Sequence, residues 1–188
     1  MGQNLISETT VLEEVKKAIS QTLKVDPNTI QPDQSLMKDL GADSLDFLDI
    51  SYRLEQVFRV KMARHLVLEH IEEMFGEGVA VDENSHLTDK GVALLKIRLG
   101  DHLPIELSPG MDMDEIPPLV TVQGMAQTMM DILDSLPEKC GSCGQTNWKL
   151  ESPVLIQCGS CGTEANFKDG DMLIKEWLTK VQEEKKIF

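Results

Sequence analysis

All four cysteines of this 188-residue chain fall in two matching pentapeptides, Cys140-Gly-Ser-Cys143-Gly and Cys158-Gly-Ser-Cys161-Gly, with residues 144–157 between them. A Cys-x-x-Cys turn brings two sulfurs to one side of a tight knuckle. Two such knuckles can close four thiolates into a tetrahedron around one metal ion. The glycines leave backbone amides free to turn towards the sulfurs. Four protein ligands leave no position for water, so such a site is structural. Zinc suits the ligand set and spacing best, and a four-thiolate iron site is the rival metal. Paired disulfides are disfavoured because the start of the chain, MGQNLISETT, lacks the basic-then-apolar pattern of a secretion signal. We therefore expect a cytoplasmic protein.

Short strands are predicted at 147–150, 154–157 and 164–167, with Trp148 and Phe167 available for a small core. Together with the knuckles, this segment resembles a zinc ribbon, in which Cys140, Cys143, Cys158 and Cys161 hold Zn2+. A unit so small needs its metal, since zinc binding gives comparable peptides roughly 10 to 16 kcal/mol of apparent free energy. The abrupt concentration of cysteine and glycine after Lys139 places a domain boundary there. Beyond the knuckles, Met172, Leu173, Ile174, Trp177, Leu178 and Val181 mark an amphipathic terminal helix that packs on the ribbon, the preceding domain or a second chain.

The rest of the chain reads as helix. Val11, Leu12, Val15, Ala18, Ile19 and Leu23 recur at three- and four-residue intervals, predicting a first helix over 9–25. Pro27, Asn28, Pro32 and Asp33 then make a long loop, with Ile30 turned inward. Asp43 or Ser44 caps a second helix whose apolar positions are Leu45, Leu48, Leu54, Val57 and Phe58. Residues 62–75 and 88–99 predict two further helices, stopped by Gly76 and Gly100. After Pro117-Pro118, Thr121 caps a last bundle helix carrying Val122, Met125, Met129, Ile132, Leu133 and Leu136.

Charge narrows the classes of partner. With 32 acidic against 18 basic residues, a net charge of -14 repels polyphosphates and anionic lipid headgroups. Nucleic acid and membranes are thereby disfavoured. Proteins bearing Lys and Arg around an entrance are favoured instead.

Taken alone, Asp43-Ser44 is an ordinary helix cap and the acids after it an ordinary solvated face. The run DLGADSLDFLDISYRLEQVF is longer than that reading requires. It resembles the prosthetic-group site of acyl carrier proteins, and the first helix, the long Pro-containing loop and the Thr121 helix follow in that family's order. The resemblance implies a covalent 4'-phosphopantetheine on Ser44, with Asp43 and Leu45 beside it, Leu45 pointing inward to fix the helix. It further implies that Asp46, Asp49 and Glu55 dock basic patches on partner enzymes. Each exposed ion pair contributes only about 0 to 1 kcal/mol, which suits transient exchange. Those partners are a phosphopantetheinyl transferase, an acyl-loading ligase or transferase, and condensing or modifying enzymes.

Three departures from the family stand out: Arg53 on the acidic helix, the bulky Phe47 and Tyr52, and a long segment at about 59–114 with two helices of its own. That segment enlarges the bundle or walls a pocket for an acyl chain. The expected protein is thus mainly α. An acyl-carrier-like bundle with a helical insertion spans 1–136, and a small β module of the ribbon kind with a terminal helix spans 137–188. It is not an enzyme but a carrier of acyl thioesters for a fatty-acid-like or polyketide-like pathway. The alternatives are an aminoacyl or peptidyl carrier, or an unmodified protein-interaction module. His65, His70, His86 and His102 stand in no recognised motif and receive no role.

Overall fold

A computed structural model describes residues 3–100 and 106–188. His102 lies outside the described residues. Contacts divide the chain into two compact units, residues 1–62 with 120–170 and residues 63–119 with 171–188. No helix among the described residues is long and apolar enough to cross a membrane.

The first unit contains α1 (Glu8–Leu23), α2 (Ser44–Phe58) and α5 (Val122–Leu133). Helix α1 is capped by the Ser7 side chain and ends at Lys24 in the left-handed region (φ 60°). It packs on both α2 and α5. Their shared core includes Val11, Val15, Ile19, Ile50, Leu54, Phe58, Met125, Met129 and Leu133, all buried. Ile30 is fully buried, as the loop sequence predicts. The loop is pinned to the start of α5, where Leu36 N donates to Val120 O (3.1 Å), Val122 N to Gln34 O (3.0 Å) and Gln123 N to Pro32 O (2.8 Å). These bonds satisfy backbone groups that a buried connection would otherwise strand, and they fix the approach to α2.

The same unit holds the cysteine-rich hairpin, β1 (Trp148–Ser152) and β2 (Leu155–Cys158), paired antiparallel with a bulge between Leu150 and Ser152. The third predicted strand reduces to a single bridge between Gln157 and Glu164, supported by Ala165 N donating to Ile156 O (2.9 Å). Ile156 and Ala165 are buried, and Trp148 Nε1 donates to Pro137 O (2.7 Å).

The second unit contains α3 (Val67–Phe75), α4 (Asp89–Leu99) and α6 (Gly170–Lys185), of which α6 begins one residue earlier in the chain than the unit's second segment. Its core includes Leu68, Ile71, Leu87, Leu94, Leu95, Leu107, Leu178 and Val181. The terminal helix therefore contributes its apolar face to the inserted segment, along a different line from the boundary drawn at residue 137. Residues 62–66, predicted as helix, are not helical. The Glu69 carboxylate accepts from Leu66 N (2.7 Å), so α3 starts one residue later, at Val67. Helix α4 is capped by Thr88 and packs so tightly that a Cβ on Gly91 would sit 2.2 Å from Ala80 O.

Candidate functional site

The loop into α2 is built from short-range bonds. Asp39 accepts from Ser35 N (2.7 Å), Ala42 N donates to Leu36 O (2.9 Å), and Ala42 is buried. Gly41 has φ +73°, a conformation that costs a residue with a Cβ, although the space beside it is open. Asp43 is the N-cap. Its Oδ1 accepts from Leu45 N (2.8 Å) and Asp46 N (2.9 Å), while Asp46 Oδ2 accepts from Asp43 N (3.0 Å). This reciprocal box fixes the helix start at Ser44, the first helical residue, whose side chain is exposed. No hydrogen bond among the described residues engages its hydroxyl.

The box has an electrostatic consequence. The positive end of the α2 dipole favours an anion attached to Ser44. The amides of Leu45 and Asp46 are already taken, so such an anion would feel the helix field without gaining these two donors. Two carboxylates also lie within two residues of the serine.

Several expectations for α2 need correction. Leu45 does not turn inward: it is 73% exposed, because Ile50, Leu54 and Phe58 fill the buried face. Leu48 and Val57, among the apolar positions that mark the helix in the sequence, are exposed as well, at 56% and 39%. Glu55 is buried and is no docking residue. Its Oε1 accepts from Met62 N (2.8 Å), closing the chain after the left-handed cap at Arg59. Asp49 remains partly exposed, but its Oδ2 accepts from Thr22 Oγ1 (2.6 Å) and Arg53 Nε (2.7 Å). The Thr22 hydroxyl, then Arg53, holds its carboxyl below the usual range. Arg53, which also reaches Gln21 Oε1 (3.2 Å), thus ties α2 to α1. What faces solvent beside Ser44 is an apolar row, Leu45, Leu48 and Tyr52, with Asp46 close by.

The second candidate site is the four-cysteine cluster. All four sulfurs lie within 4.8 Å of one another, with Cys140 to Cys161 at 3.7 Å and Cys143 to Cys158 at 3.6 Å. A tetrahedron with metal–sulfur bonds of about 2.3 Å has sulfurs ~3.8 Å apart, whereas a disulfide requires ~2.0 Å. The arrangement therefore permits a metal site, and the cysteines are not bridged. The knuckles match bond for bond: Gly144 N donates to Cys140 O and Gly162 N to Cys158 O, while Cys140 N donates to Gln145 O and Cys158 N to Thr163 O, each at 2.8 Å. Gly144 (φ +72°) and Gly162 (φ +76°) supply the left-handed turn. Gly159 is constrained differently, since a Cβ there would meet Asn147 Nδ2 at 2.7 Å.

Crowding splits the thiols. The Thr163 hydroxyl and amide draw Cys161 down to about 6. The Cys161 and Ser160 amides lower Cys158. For Cys143 the Gln145 amide pulls downward but is outweighed by neighbouring sulfurs and burial, leaving it pushed up to about 12.

The histidines, left without a role by the sequence, separate into two settings. His86 lies 3.8 Å from Asp82. His65 and His70 converge on Asp171, an association invisible in sequence because the aspartate lies far along the chain from both.

Residues 13–83 match the family described as Phosphopantetheine attachment site. The chain is 42% identical over 53 residues to acyl carrier protein AcpXL of Mesorhizobium japonicum, covering 28% of this chain and 57% of that protein. It is 39% identical over 54 residues to acyl carrier protein AcpXL of Rhizobium meliloti, covering 29% and 57%. Against acyl carrier protein AcpXL of Brucella melitensis, 40% identity extends over 50 residues, 27% and 54% of the two chains. The chain thus spans little more than half the length of the curated relatives it matches. No solved structure matches it.

Proposed function

We propose, from the match of residues 13–83 to the phosphopantetheine attachment site family and the likeness to acyl carrier proteins, that this chain carries acyl groups on a 4'-phosphopantetheine attached to Ser44. The observation that carries the reading is an exposed serine hydroxyl at the first position of α2, held by the Asp43–Asp46 box inside the matched segment. When attached, the arm supplies a thiol whose thioester keeps an acyl carbonyl activated for attack.

The chain's own residues present and orient. The capping box and the buried Ala42 hold the attachment point still, so a transferase meets a fixed hydroxyl rather than a floppy loop. Leu45, Leu48 and Tyr52 offer partners an apolar strip, and Asp46, with the partly neutralised Asp49, offers charge to basic entrances. Such a chain is a tethered substrate for other enzymes: a phosphopantetheinyl transferase, an acyl-loading enzyme, and condensing or modifying enzymes of a fatty-acid-like or polyketide-like pathway.

In the same proposal, Cys140, Cys143, Cys158 and Cys161 hold structural Zn2+ in a module of the zinc-ribbon kind. The sulfur spacing and paired knuckles support this reading. Residues 1–136 act as the carrier portion, with the inserted segment as an addition, and residues 137–188 supply the metal module and terminal helix.

Loading tests the cargo. The arm-bearing chain is incubated with cell extract and labelled fatty acids or amino acids. We expect fatty acyl label that hydroxylamine releases, with none on Ser44→Ala. Amino acid label on the same serine would instead indicate an aminoacyl carrier, and absence of any thioester would overturn the carrier reading.

A further inference from the structure

His65, His70 and Asp171 all lie in the second unit and offer three ligand atoms within 4.8 Å of one another. His70 Nε2 is 2.9 Å from Asp171 Oδ1, and His65 Nδ1 is 3.7 Å from the same oxygen. The carboxylate is held in place by main-chain amides: Arg64 N lies 3.1 Å from each oxygen, and His65 N lies 3.2 Å from Oδ1. The imidazoles meet edge to face with centroids 5.6 Å apart.

A hydrogen-bonded clasp completes this arrangement only if His70 carries a proton on both nitrogens; as a neutral ring it strands one of them. If His70 donates from Nε2 to Asp171, its Nδ1 carries a lone pair, since a neutral imidazole has one N–H. That Nδ1 is buried, on a residue only 2% exposed, and has no hydrogen-bond partner among the described residues. Its neighbour at 3.6 Å is Glu73 Oε2, an acceptor that cannot satisfy a lone pair. A buried unsatisfied acceptor is costly.

We infer that His65, His70 and Asp171 bind a divalent transition-metal ion of the zinc class. The metal takes the Nε2 lone pair, the ring proton moves to Nδ1, and Nδ1–H points to Glu73. A ligating histidine that donates its other N–H to a carboxylate is the usual support of such sites. Glu73 is suited to that part. Its side chain is 62% exposed and free to close the remaining few tenths of an ångström. Lys175 occupies its other oxygen (2.8 Å), leaving Oε2 to accept. For metal–ligand bonds near 2.0–2.2 Å, tetrahedral ligand atoms are ~3.3 Å apart, between the 2.9 Å and 3.7 Å separations seen here. Two imidazoles and one carboxylate suit Zn2+, and three protein ligands leave a position open to water. The exposed His65 places that position at the surface. The ion joins the segment before α3, α3 itself and the start of α6.

The test uses the full chain and Zn2+ alone. Metal content after equilibration is compared between wild type and His65→Ala, a variant that alters an exposed side chain and spares the fold. His70 ring protonation is followed by long-range 1H–15N NMR. We expect wild type to bind one more equivalent than His65→Ala, and His70 to pass from the Nε2–H to the Nδ1–H form as zinc is added. Glu73→Ala should weaken that equivalent by about 10- to 100-fold. Equal zinc in wild type and His65→Ala, or a His70 ring that keeps Nε2–H at saturation, would overturn the assignment.

Discussion

Glu55 illustrates how one residue's surroundings decide its role. Read as one more acid of α2 it counts with Asp46 and Asp49, yet on a helix wheel it stands half a turn from Asp46, and it sits buried with Oε1 accepting from Met62 N. Removing the carboxylate leaves a buried amide unsatisfied, which costs about 1–3 kcal/mol. We expect Glu55→Ala to lower urea-unfolding stability by that amount while the folded fraction still accepts the arm. Unchanged stability with impaired arm transfer would restore the docking role. The helix start at Ser44 and the gathering of the four cysteines were legible because local spacing carries them. Leu45 and Glu55 were not, because a stripe with apolar residues on two faces does not say which face meets the core.

Elements show the same division. The two knuckles are legible from their glycines, whose left-handed turns repeat at Gly144 and Gly162. The hairpin between them has little core of its own beyond Ile156 and Ala165. Stripping metal with a strong chelator should therefore erase amide-exchange protection at Cys158 and Ala165. Full protection with metal gone would show that the cluster does not hold the module together. Between α1 and α2, the Asp49 tether predicts a pH dependence. Its carboxyl is lowered in the folded state from an ordinary 3.8, so its contribution is present above that value and is lost as the pH falls through the lowered one. Thermal unfolding of Asp49→Asn against wild type should show a gap near neutrality that closes in acid. A gap unchanged down to pH 2 would contradict this.

At the scale of the whole molecule, the terminal helix gives the clearest lesson about sequence. Its apolar stripe announces burial but does not name a partner, since any complementary face satisfies a helical period. Leu178 and Val181 prove to belong to the core built by α3 and α4. Truncating the fully buried Leu178 to Ala should cost about 2–5 kcal/mol, with faster amide exchange in α3 and α4. A rise confined to β1 and β2 would place the helix with the cysteine module instead. The helical architecture and the order of loop and caps were legible throughout, because helical period and Asp, Ser and Thr caps are local signals. The join between distant segments was not.

Attachment of the arm remains the central claim, and it is measured most directly by peptide mass after incubation with coenzyme A and a broad-specificity phosphopantetheinyl transferase. The account predicts one phosphopantetheine per chain, on the peptide containing Ser44, and none on Ser44→Ala with an unchanged fold. A chain that stays unmodified with an active transferase, or carries the group on another residue, would contradict it.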